Sequence, residues 1–147
     1  NTPYETRLKR QPEAGERVMP VEVAMVTRRA LLRVVNSGTA RRLKDTYRDH
    51  EENPLLVGGK TGTGDHRSKV IGAGGEVRSA KVMNRAATFA FYLGDRFYGV
   101  VTAFVPGSKA AGYDFTSALP VQIMKQMEPM LRPLVSDRPA DEGKCKG

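Results

Sequence analysis

The residues best equipped for chemistry stand in one short run, Gly58-Gly59-Lys60-Thr61-Gly62-Thr63. It places one cation and two hydroxyls among glycines, so charge, hydrogen-bond donors and bare backbone come within reach of one ligand. A Gly-Lys-Thr triplet also occurs in phosphate-binding loops, which need a further glycine five residues before it. Pro54 stands at that position, and a proline removes an amide that a phosphate cradle would use. A phosphate loop must also open a helix, whereas Gly62-Thr63-Gly64 resists helix formation. Leu55-Leu56-Val57 ahead of the run and the β-branched threonines within it predict a strand instead. Glycine is unusual in a strand interior, and Gly59 and Gly62 fit a place where a ligand lies close against the backbone.

Other elements must hold such a strand. Val23, Val26, Ala30, Leu31, Val34 and Val35 recur at helical spacing. Pro20 suits the first turn and Asn36-Ser37-Gly38 the end, which predicts a helix over Pro20–Ser37. Thr39–Tyr47 suits a second, short helix, and the charged stretch Arg48–Pro54 a surface loop. Gly64–Arg85 is Gly-rich and basic and reads as a long, partly disordered loop. Ala86–Leu93 alternates Phe89, Phe91 and Leu93 with Thr88, Ala90 and Tyr92, Gly94-Asp95 signals a turn, and Phe97–Val105 returns as a partner strand. Thr116 or Ser117 is a candidate N-cap for a closing helix with Pro120 early in it. Ile123, Met124, Met127 and Leu131 form the apolar stripe of that helix, disturbed by Pro129. The expected fold is mixed α/β (α+β), an antiparallel sheet of at least three strands flanked by helices. The expected organisation is a polar lead-in over 1–17, a folded part over 18–131 and a flexible tail over 132–147.

Within this order of elements the run resembles the Lys-Thr-Gly box of the penicillin-recognising serine enzymes. Over roughly Val18–Leu131 the chain is similar to the C-terminal part of a bacterial penicillin-binding protein transpeptidase domain. In that family a helix ending in a Gly-Thr-Ala-like turn precedes the box, as Gly38-Thr39-Ala40 does here. A strand hairpin and a closing helix follow it, as Ala86–Val105 and Ser117–Leu131 do. The resemblance implies the C-terminal portion of a β-lactamase/transpeptidase-like fold and a part in cross-linking peptidoglycan stem peptides through an acyl-serine intermediate. It makes Lys60, Thr61, Gly62 and Thr63 substrate-binding and gives Lys60 and Thr63 catalytic parts. Lys60 would supply positive field to a substrate carboxylate, Thr61 and Thr63 hydroxyl donors, and Gly62 the gap in which a peptide lies as an added strand. The Thr63 amide would be one of two oxyanion-hole donors.

The family's nucleophile lies in a Ser-x-x-Lys box. Three residues after Ser37, Ser68, Ser79, Ser108, Ser117 and Ser136 stand Ala40, Ile71, Val82, Ala111, Pro120 and Pro139, none of them lysine. The Ser-x-Asn box is absent as well. Both lie N-terminal to Lys-Thr-Gly in the family, so this chain alone is expected not to acylate. The implied partners are stem peptides ending in D-Ala-D-Ala, β-lactams, the N-terminal remainder of the domain and an upstream glycosyltransferase domain. The implied location is the periplasm or the wall side of the cytoplasmic membrane, through an anchor outside this chain. A non-catalytic peptide- or wall-binding module that keeps the Lys-Thr-Gly strand is the alternative.

Composition bounds these readings. The chain has 147 residues, 39% hydrophobic and 27% charged, enough for one folded core. No apolar run approaches the ~20 residues of a membrane span, and no export signal stands at the start. The single cysteine, Cys145, in a polar tail, cannot form an internal disulfide. With only His50 and His66 beside it, no metal site and no cofactor are expected. The net charge of +8 favours anionic partners. Its arginines and lysines are spread out, with modest clusters at Arg28–Arg29, Arg41–Lys44 and Arg78–Arg85 and no interleaved aromatics, so nucleic acid is not expected. Asp65 and His66 read as rim residues of the box. Arg67, Lys69 and Arg78 read as solvated charge, with steering of an anionic substrate as the functional reading.

Overall fold

The computed structural model describes residues 16–136. It is a mixed α+β fold, a three-stranded antiparallel sheet carried by helices. Helix α1 spans Val21–Asn36, strands β1, β2 and β3 span Val57–Ile71, Val77–Leu93 and Phe97–Pro106, and helices α2 and α3 span Ala118–Gln126 and Glu128–Ser136. The polar segment 1–15 and the tail from 137 onward, Cys145 included, lie outside the described residues.

The sheet order is β1-β2-β3, with Thr61 opposite Phe89 and Phe89 opposite Val101. Period-two alternation then sends Val57, Thr61, Ala87, Phe89 and Leu93 to one face. That face packs against Val35 of α1, Leu43, Tyr47, Val121 and Met124 of α2, and Val135 of α3 to make the core. The predicted hairpin holds: Gly94 takes φ +59° in the turn, and its amide donates to Leu56 O at 2.8 Å.

The helix over Pro20–Ser37 is present, but only its last turns are covered. Val35 is buried, whereas Val23 and Val26 are exposed, so the first part of the apolar stripe lies on open surface. Only Arg41–Leu43 of the expected short helix forms, as a 3₁₀ turn, and its Leu43 is buried in the core.

Two expectations are overturned. Gly64–Arg85 is not a long loop: β1 runs on to Ile71 and β2 starts at Val77, closed by a turn in which Gly72 N donates to Glu76 O at 2.8 Å and Gly75 takes φ +81°. Val70, Ile71, Val77 and Val82 on either side of Gly74-Gly75 carried that hairpin signal, and the basic, Gly-rich composition masked it. The closing helix is two helices, not one ending at Leu131. It breaks at Met127, and Pro129 occupies the first turn of α3, where its missing N–H would have no intrahelical partner in any case. Residues 132–136, expected in the tail, belong to α3, and Arg132 pairs with Glu52 in the loop before β1.

Candidate functional site

The Lys-Thr-Gly run lies within β1, an outer strand of the sheet, so one side of it pairs with β2 and no described strand pairs with the other. Alternation divides its residues between the two faces. Thr61 and Thr63 project to the core face, opposite Phe89 and Ala87, while Lys60 and Gly62 project to the other, opposite Ala90 and Thr88. A ligand along the open edge would have hydroxyls on one side and the cation on the other.

The glycines divide by what surrounds them. A Cβ at Gly59 would stand 2.4 Å from Ala90 O and 2.7 Å from the Phe89 ring, and one at Gly58 would stand 2.4 Å from the Tyr92 ring. Gly59 is small for the core face and Gly58 for the Tyr92 ring on the other face, which replaces the expected ligand approach at Gly59. At Gly62 a Cβ would meet nothing within 4 Å, so the strand is bare there toward open space.

Thr61 is 8% exposed, and its hydroxyl is 2.7 Å from that of Thr39. Thr39 reaches it because the chain turns tightly after α1. A Cβ at Gly38 would come within 2.9 Å of Val34 Cα and O, so only glycine allows the turn, and Ala40 N then donates to Val34 O at 3.0 Å. Either hydroxyl can donate in the Thr39–Thr61 pair, and the one that accepts keeps its own proton.

Thr63 is exposed, and its Oγ1 accepts the Ser117 amide at 2.8 Å, capping the N-terminus of α2 from a neighbouring strand. Ser117 is the N-cap residue but makes no side-chain cap, and Thr116 Oγ1 accepts Ala118 N at 3.3 Å. A hydroxyl that accepts from an amide retains its O–H to donate, so Thr63 can still present a donor to an anion at the strand edge. Lys60 Nζ donates to Thr61 O at 2.6 Å, which leaves further ammonium donors for a ligand.

Beyond the box, Arg85 was read only as part of a basic cluster, but it organises the neighbouring loop. Its Nε donates to Phe115 O at 3.0 Å, its guanidinium lies 5.5 Å from the Phe115 ring, and it faces Asp65 Oδ1 at 3.5 Å. That oxygen makes an ion pair without hydrogen-bond geometry, and the other accepts from Arg67 at 3.3 Å. Asp65 is thus bound into a scaffold that holds residues 113–117 over Thr63, while His66 is exposed. Sequence reasoning placed Thr39 in the turn before the box and Tyr47 at the end of a short helix, but gave neither side chain a partner. Tyr47 is wholly buried and donates its hydroxyl to Met124 O at 2.6 Å, tying the segment before β1 to α2. The contacts of both cross long stretches of chain, which local spacing does not reveal. Among the described residues no three His, Cys, Asp or Glu side chains converge as metal ligands, and no helix is long and apolar enough to cross a membrane.

Neither the known protein families nor the curated proteins contain a match to the chain.

Proposed function

We propose that the chain is the C-terminal part of a serine DD-transpeptidase domain, in which β1 is the wall against which a peptide carboxylate docks. The observation that carries this reading is the bare stretch of the outer strand at Gly62, flanked by the exposed Lys60 ammonium and the Thr63 hydroxyl. A peptide laid along that edge gains main-chain hydrogen bonds, with Lys60 and Thr63 providing charge-assisted contacts to its carboxylate. In this reading Thr61 acts through Thr39 to fix the strand, because its hydroxyl is buried.

Uncovered apolar surface supports membership of a larger domain. Val23 and Val26 on α1 and Tyr98, Val100 and Phe104 on β3 are all exposed, and β3 is the other outer strand. Surface of this kind is where the remainder of a transpeptidase domain, with its Ser-x-x-Lys and Ser-x-Asn boxes, would pack. The test is labelling by a fluorescent penicillin. The chain alone is expected to take no label, and the parent protein is expected to be labelled on a serine upstream of Asn1. Absence of label on the parent would sink the enzymatic reading and favour a binding module that keeps the strand.

A further inference from the structure

The hairpin beyond the box is built in a particular way. Past Asn84, which pairs with Pro106, β3 ends and β1 and β2 continue as a two-stranded ribbon. No residue from Gly62 to Ala86 is buried. An isolated two-stranded ribbon is marginally stable in water, so a partner that covers it has much to contribute. Its far end is aliphatic: Val70, Ile71 and Val77 are 56%, 64% and 54% exposed, and the turn beyond them is Gly72-Ala73-Gly74-Gly75-Glu76. Behind this end stand four cations, Lys69 and Arg78 next to it and Arg67 and Lys81 further back, of which Arg78 pairs with Glu76 and Arg67 with Asp65. At about 3.3 Å per residue Lys69 trails Ile71 by roughly 7 Å.

We infer that the tip of this ribbon docks on an anionic lipid bilayer, with Val70, Ile71 and Val77 at the acyl boundary and the cations at the phosphates. The spacing suits that partner, since interfacial elements bury their apolar side about 5–10 Å deep with cations above it. Addition of another strand suits it less. The pairing of β2 with β1 steps over Met83 and Arg78, and bulges and edge cations both oppose strand addition. Nucleic acid lacks the usual stacking platform, because residues 64–84 contain no Phe, Tyr or Trp and His66 is the one ring among them. The one carboxylate of the turn, Glu76, is held within the hairpin by Arg78 Nε at 3.0 Å and the Gly74 amide at 3.1 Å. The inference rests on the ribbon alone and stands whether or not β1 serves a transpeptidase.

Co-sedimentation with vesicles tests it. The chain is expected to bind vesicles of equal parts phosphatidylglycerol and phosphatidylcholine, and to remain in solution with phosphatidylcholine alone. Ile71→Thr with Val77→Thr keeps strand-forming residues and is expected to weaken partitioning about tenfold, as the apolar area is lost. Lys69→Gln and Lys81→Gln are each expected to weaken it roughly fivefold, and Glu76→Gln to strengthen it. The Lys69, Ile71, Val77 and Lys81 side chains are exposed, so Tm is expected to be unchanged in their variants, and the lysine variants carry the test if the tip variant folds poorly. Absence of binding to the anionic vesicles, equal binding by the tip and lysine variants, or preferential retention of duplex DNA overturns the inference.

Discussion

Thr39 and Thr61 share a hydrogen bond at 2.7 Å, joining the turn after α1 to the middle of the Lys-Thr-Gly strand. The pair is largely out of water, since Thr61 is 8% exposed. Removing one member leaves the other unpaired. Thr39→Val is expected to destabilise the fold by about 1–3 kcal/mol, and the Thr39→Val/Thr61→Val double variant by less than the sum of the two singles. Urea unfolding of the four proteins in the cycle measures the coupling, and strict additivity would show that the two hydroxyls do not act together.

Gly59 and Gly62 are predicted to respond differently to the same added methyl. Gly59→Ala drives a Cβ into Ala90 O and the Phe89 ring and is expected to cost about 1–3 kcal/mol or more. Gly62→Ala meets nothing and is expected to leave stability within about 0.5 kcal/mol. Under the proposed docking role, Gly62→Ala is expected to slow acylation of the longer protein by a fluorescent penicillin while Tm holds. Normal acylation in that variant would remove the edge at Gly62 from the docking path.

Thr63 caps α2 from another element, so its loss should appear as a helix-capping defect. Thr63→Val is expected to cost about 0.5–2 kcal/mol, and Thr63→Ser to restore most of it. Thermal unfolding monitored by circular dichroism reads both.

Tyr47 provides a pH-dependent prediction. Burial, with repulsion from Glu128, pushes its phenol up from 10.0 to about 12. The folded state therefore holds the proton more tightly than the unfolded chain does. The stability linked to Tyr47 is fully present below pH 10.0 and is lost as pH rises through about 12. Tyr47→Phe is expected to remove this component of the alkaline slope and to cost about 1–3 kcal/mol at neutral pH, because Met124 O loses a buried partner. Unfolding free energy measured across alkaline pH in both proteins tests it.

Arg28 fastens α1 to the β2–β3 turn. It donates to Gly94 O at 3.2 Å, pairs with Asp95 at 2.5 Å and lies 5.0 Å from the Tyr92 ring. Asp95 is 80% exposed, so Asp95→Asn is expected to cost no more than about 1 kcal/mol. Arg28→Ala also loses the carbonyl and ring contacts and is expected to cost more, as equilibrium unfolding would report.

Local pattern determined a good deal of this protein. Helical spacing placed α1, the alternation around Phe89 and Phe91 placed the second half of β2, Gly94 placed the turn, and β-branched residues about the glycines placed the box on a strand. Each is set by contacts along a few residues, which periodicity reports. What tertiary structure alone decided was the use of each residue. Gly59 is small for Phe89 and Gly62 bare for solvent, and Thr61 is tied to Thr39 while Thr63 caps α2. These outcomes depend on which side chain lies across a strand or at the end of a distant helix, and spacing along the chain does not carry that information.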